Sequence, residues 1–172
     1  MLRLVSHGPR GHWPSAEAKT SVTLDFDARH RRRIRLQLDD GSEALLDLER
    51  AVAMAGGDGL ATADGAWIAV KAAPEPLVEV TASDQLLFLR LAWHLGNRHV
   101  PAEITRQAIL IRPDHVLEEM LVNLGGAARH VTLPFQPEGG AYGDHGNGDG
   151  HHHEHGHGHG HGHGHGHDHA HG

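Results

Sequence analysis

From Ser21 to about Ala73, apolar and polar positions alternate in short runs punctuated by turn residues. Val22, Leu24 and Phe26 make one period-2 run, Ile34, Leu36 and Leu38 a second, and Leu45, Leu46 and Leu48 a third. Asp40-Gly41 lies between two of these runs, and Asp64-Gly65 precedes the apolar stretch Ala66 to Val70; both dipeptides predict hairpins. The pattern predicts a β-rich domain of about 70 residues, small enough to lean on a neighbouring domain or a second subunit. The Ala73-Pro74-Glu75-Pro76 stretch is expected to break it off.

Beyond that break the period changes. Leu77 to Thr81 predicts a strand, and Ser83 is placed to cap a helix running from Asp84 to about Arg98, stopped by Pro101. Glu103 to Gln107 and Ala108 to Arg112 predict two more strands, and Pro113-Asp114 opens a second helix. In that helix Val116, Leu117, Met120, Leu121 and Leu124 fall on one stripe, and Gly125-Gly126 supplies its stop. His130 to Phe135 predicts a last strand. The order strand, helix, strand, strand, helix, strand is the ferredoxin-like arrangement. The fold class predicted is therefore α+β: a small N-terminal β domain (1–75), a ferredoxin-like βαββαβ domain (76–142) and a disordered His-rich tail (143–172).

The first helix carries Leu86, Leu87, Phe88, Leu89, Leu91, Ala92, Trp93 and Leu95, and is thus apolar around most of its circumference. A helix covering one face of a sheet needs only one such stripe. Its outer face is expected to be buried under the N-terminal domain or against a second copy of the chain.

Composition changes the picture mainly after Gly139. The chain has 172 residues, 38% of them hydrophobic, with a formal net charge of −7 and no cysteine. Disulfides, thiolate metal sites and cysteine nucleophiles are excluded together, so any metal here is held by nitrogen and oxygen. All the basic residues precede Phe135, and both the tail and the rest are net negative, which argues against nucleic acid as a partner. No apolar stretch approaches the roughly 18 residues of a membrane span, and the first fifteen residues lack the apolar region of a secretory leader. A cytoplasmic location with no membrane partner is the expectation.

Histidine is the outlier. Of 20 histidines, thirteen lie at His145, His151, His152, His153, His155, His157, His159, His161, His163, His165, His167, His169 and His171. Neutral imidazole is a good ligand for nickel, zinc and copper, and alternating glycine imposes no fold, so this tail should take up several ions at modest affinity. Imidazole binds metal only when deprotonated, which predicts affinity falling steeply between about pH 7 and pH 5.5. Glu154, Asp168 and Ala170 interrupt the run, unlike a purification tag.

A second group of polar residues lies on and after the two helices. Arg90, His94, Asn97 and Arg98 form the polar stripe of the first helix, and His99 falls at its carbonyl end, where a cation is favoured by the helix dipole. His115 begins the second helix, with Glu118 one turn on. The Arg29 to Arg35 cluster, interleaved with Asp25, Asp27, Asp39 and Asp40, reads as a solvated strand face. No His-Glu-x-x-His, P-loop or Gly-x-Ser-x-Gly motif is present.

Three separated motifs carry a resemblance: Trp93-His94-Leu95-Gly96-Asn97-Arg98-His99-Val100-Pro101, then Asp114-His115-Val116-Leu117-Glu118-Glu119-Met120-Leu121, then Leu133-Pro134-Phe135-Gln136-Pro137-Glu138-Gly139-Gly140-Ala141-Tyr142. With the His-rich tail behind them, they resemble the urease accessory nickel chaperones, the UreE family. The resemblance implies a homodimer joined through the second domain, with His99 donated by both subunits as the central nickel ligand. A residue on a two-fold axis meets its own copy, so one histidine per chain becomes two ligands. The resemblance also implies His115 as a peripheral ligand, although Pro113 stands where some relatives carry a further histidine, and tail histidines that complete the shell or recruit more ions. The implied function is a non-enzymatic metallochaperone that carries Ni(II) as cargo, with Zn(II) or Cu(II) able to compete, to the urease accessory GTPase and the urease apoprotein. Arg31, Arg32 and Arg33 are the candidates for partner docking. Two rival readings are a nickel or zinc storage or detoxification protein whose tail is the whole device, and a metal-dependent hydrolase using His99, His115 and Glu118.

Overall fold

The computed structural model describes residues 1–139. Ten strands and two helices follow in order: β1 (Leu2–Gly8), β2 (Ala18–Leu24), β3 (Arg33–Gln37), β4 (Glu43–Asp47), β5 (Gly59–Thr62), β6 (Trp67–Ala72), β7 (Pro74–Thr81), α1 (Gln85–Gly96), β8 (Ala102–Ile104), β9 (Ile109–Ile111), α2 (His115–Asn123) and β10 (Ala127–Pro134). The fold is α+β, built on two sheets.

The first sheet has the order β2-β6-β5-β1-β4-β3. Both expected hairpins form: β3 pairs antiparallel with β4 across Gly41, and β5 with β6 across Gly65, each glycine at φ +85. Inward residues Leu4, Val22, Leu36, Leu46, Leu60, Ile68 and Val70, with Met54, make its core. Two of its strands went unread in the sequence, β1 and β5. β1 shows only Leu4 as a fully buried large apolar residue, and β5 is a short run of four residues buried on both faces, so neither presents the alternation of a half-buried strand.

The second sheet, order β10-β7-β9-β8, is antiparallel throughout and carries α1 and α2 on one face. Val78, Val80, Ile109 and Ile111 meet Leu91, Leu95 and Leu121 of the helices there. From the opposite face Leu77 and Leu110 join Phe135, with Phe26 of the N-terminal part packed against them. Residues Met1–Gly139 form one compact unit.

Several boundaries correct the sequence expectations. Pro74 and Pro76 do not break the chain; they lie inside β7, opposite Pro134 and Thr132 of β10. Pairing with β9 begins only at Val78, so the prolines occupy a stretch with a single strand neighbour, where a missing N–H is tolerated. The cap of α1 is Asp84, not Ser83: its carboxylate accepts from Leu87 N at 2.9 Å, and Ser83 supports it from 3.1 Å. On α2, Asp114 accepts from Val116 N and Leu117 N, while Val116 and Leu124, expected on the core stripe, are exposed.

Arg29 departs furthest from expectation. Rather than belonging to a solvated strand face it sits in a 3-10 turn, Ala28–His30, at 2% exposure. Its guanidinium donates to Met54 O at 3.1 Å and to Phe135 O, tying the turn to the residue that follows β10. Burial lowers its pKa from the ordinary arginine value, while the charges of Glu75, Asp25, Asp58 and Glu103 act in the opposite sense. Arg31, Arg32 and Arg33 are exposed, as the solvated reading requires.

Candidate metal centre

Helix α1 ends because Pro101 cannot continue it and Val100 turns inward to the apolar cluster that holds Leu95. Val100 N donates to Leu95 O at 3.3 Å and His99 N to Gly96 O at 3.0 Å, the paired hydrogen bonds of a Schellman stop. In that motif the residue donating the second bond takes the left-handed conformation and is usually glycine. Here it is His99, at φ +54, the only non-glycine residue with positive φ among the described residues. A left-handed L-residue costs roughly 1–2 kcal/mol, and an exposed imidazole adds no packing that would offset it.

His99 opens onto a recess of about 440 Å3 lined by the α1–β8 corner (Arg98 to Pro101) and by Arg112, Pro113, Asp114 and Leu117 from the start of α2. Arg98 folds back to cap His94 O at 3.0 Å. Arg112 is turned away, donating to Asp27 at 3.0 Å with its guanidinium 5.1 Å from the Phe26 ring centre. His115, exposed on the first turn of α2, is not among the recess residues. Among the described residues no three His, Asp or Glu side chains stand close enough to hold an ion together. One chain thus presents His99 as a single exposed imidazole at the carbonyl end of a helix.

The outer face of α1 leads directly to this corner. Leu86, Leu89 and Trp93, at spacings of three and four, are 58%, 56% and 64% exposed, so the N-terminal sheet does not cover them. Gly96 continues the stripe. Its φ is not in the left-handed region and a Cβ built on it meets nothing within 4 Å, so nothing in the single chain calls for glycine there.

Glu118 and His115 share one face of α2, but Glu118 contacts His130 of β10 instead, with His130 Nε2 2.9 Å from Glu118 Oε2. Sequence reasoning did not single out His130. Its partner is set by the packing of α2 on β10, and no local spacing signals it. The tail histidines, His145, His151 to His153, His155 and the alternating run to His171, lie outside the described residues.

The described residues thus form a two-sheet α+β chain with two helices on its second sheet and His99 held left-handed at a helix end. Family models for the UreE urease accessory protein match twice, the N-terminal domain over residues 4–73 and the C-terminal domain over residues 75–171. Relatives called urease accessory protein UreE include those of Rhodopseudomonas palustris strain BisB18, 49% identical over 142 residues (83% of this chain, 67% of the relative), and Beijerinckia indica, 47% over 146 residues (85% and 84%). The Agrobacterium fabrum relative is 49% identical over 146 residues, covering 85% of this chain and 90% of its own. The chain belongs to the UreE urease accessory protein family.

Proposed function

We propose that this chain is a nickel metallochaperone: a homodimer, joined across α1, that holds one Ni(II) between the His99 side chains of two copies and passes it to the urease maturation machinery. The observation that carries the reading is His99 itself, an exposed imidazole kept in a strained backbone conformation beside an uncovered apolar stripe. Strain retained at an exposed residue points to function, because glycine would serve the fold better. Gly96 supports the same face: glycine in a helix costs about 0.5–1 kcal/mol relative to alanine, and close approach of a second helix is a reason to keep it.

Two imidazoles with water completing the shell hold the ion yet leave positions open to an incoming ligand, so the cargo moves by exchange. A closed four-ligand cage would release it less readily. The carbonyl end of α1 favours the cation. Family membership supports reading nickel as the cargo, the accessory GTPase and apo-urease as recipients, a non-enzymatic role and a cytoplasmic setting. Among the described residues no helix is long and apolar enough to cross a membrane. Zn(II) and Cu(II) compete because imidazole affinity for divalent ions rises through nickel to copper whatever the biological cargo. The tail adds capacity as a buffer, His115 is a peripheral ligand, and Arg31 to Arg33 offer a docking patch.

We read residues 1–75 as one domain, 76–142 as a ferredoxin-like domain and 143–172 as the tail. The order β10-β7-β9-β8, with a helix after the first and third of these strands in chain order, supports the ferredoxin-like assignment. The dimer is tested by Leu89→Glu, which places a charge in the centre of the stripe. Sedimentation equilibrium should show dimer for the parent and monomer for the variant, with unchanged circular dichroism. A variant that stays dimeric would move the interface elsewhere.

A further inference from the structure

We propose that Glu118 and His130 form a second divalent-cation site, on the outer edge of the second sheet and independent of His99. Two of the ion pairs among the described residues join a histidine to a carboxylate, and only these can exchange a shared proton for a metal, since arginine and lysine do not ligate. The first, His7 with Asp58, is closed. The Asp58 side chain is 6% exposed, and its oxygens already accept from Arg10 N and Ala55 N at 2.8 Å each, leaving no room for the waters a cation carries.

The second pair is open at His130 and partly open at Glu118, whose side chain is 21% exposed. His130 is 68% exposed, and among the described residues Glu118 Oε1 accepts from no protein donor. Both side chains rise from regular elements. His130 lies opposite Val78 in the β10–β7 register, on the face of the sheet that carries the helices, and Glu118 is held by α2, whose Leu121 is fully buried against that face. Their donor atoms stand 2.9 Å apart. Two ligands at a right angle, each about 2.1 Å from a shared ion, stand about 3.0 Å apart, whereas a tetrahedral ion needs about 3.4 Å. The 2.9 Å separation is an ordinary hydrogen-bond distance that also matches two adjacent positions of an octahedral ion such as Ni(II), with water at the rest. The ion takes the Nε2 lone pair of the neutral imidazole, whose one proton then sits on Nδ1.

The test uses the full chain and a residue-specific readout, because the tail imidazoles also bind metal. Ni(II) is titrated past tail saturation while paramagnetic broadening of the His130 ring resonances is followed by NMR. The Glu118→Gln side chain keeps the shape and a hydrogen bond but ligates poorly. It should raise the Ni(II) concentration needed for broadening by about 10-fold or more, with the α2 and β10 amide shifts unmoved. The variants His99→Ala and His115→Ala should leave the wild-type concentration in place. No broadening at saturation, equal broadening in Glu118→Gln, or loss in His115→Ala would each overturn the proposal. Retention in His99→Ala separates its fate from that of the paired His99 site.

Discussion

Replacing His99 with glycine should remove the metal site and strengthen the fold in the same step. At φ +54 the imidazole-bearing residue carries the left-handed penalty, roughly 1–2 kcal/mol, which glycine does not. Glycine gives part of that back through the greater freedom of the unfolded chain, about 0.5–1 kcal/mol, leaving a net gain of about 0.5–1 kcal/mol. His99 is exposed, so no packing is lost. For a domain of this size the gain corresponds to about 2–4 °C in melting temperature. His99→Ala keeps the strain and should melt within about 1–2 °C of the parent, as surface substitutions do. The assay is calorimetry in the presence of a chelator, repeated with Ni(II): the parent should gain stability from the metal at the folded domain and both variants should gain less. If the glycine variant melts at or below the alanine variant, the strain argument is wrong and His99 is no more than a tolerated helix stop.

Arg29→Ala would leave Met54 O and Phe135 O without their donor, at a cost of about 3 kcal/mol, visible as a lower urea midpoint with unchanged slope. The Asp58 pKa lies below its ordinary value: burial works to raise it, but hydrogen bonds from His7, Ala55 and Arg10 prevail. The carboxylate therefore contributes stability above the ordinary value of 3.8 that is lost as pH falls through the depressed folded value, and Asp58→Asn should flatten the urea midpoint across that acid range. Gly96→Ala should raise the monomer's thermal stability by up to about 1 kcal/mol while weakening dimerisation in sedimentation experiments.

What the sequence reveals of this fold tracks where one face is buried and the other wet. Val22 to Phe26, Ile34 to Leu38 and, on α2, Leu117, Met120 and Leu121 were legible because their inward residues recur at the period of the element, whereas Val116 and Leu124 of the same stripe face out. β5 was not, since Gly59 to Thr62 is buried throughout and carries no alternation. Pro74 and Pro76 looked like a break because strand context, here the late start of β9 pairing, is invisible in one dimension. Arg29 sits in an arginine-rich run whose other members are solvated, and only the turn at Ala28–His30 sends it inward. At the candidate site, the apolar surplus of α1 was readable and the uncovered Leu86, Leu89 and Trp93 agree with it. The left-handed backbone at His99 and the Glu118–His130 contact were not readable, because each depends on tertiary packing.

The central claim is that two copies of His99 share one ion. Equilibrium binding of Ni(II) at pH 7.5 to a chain ending at Tyr142, with His99→Ala beside it, tests this most directly. One tightly held ion per two chains, absent in the variant, is the predicted result. Tight binding that survives His99→Ala, or no tight binding without the tail, would contradict the paired site and give the storage reading priority.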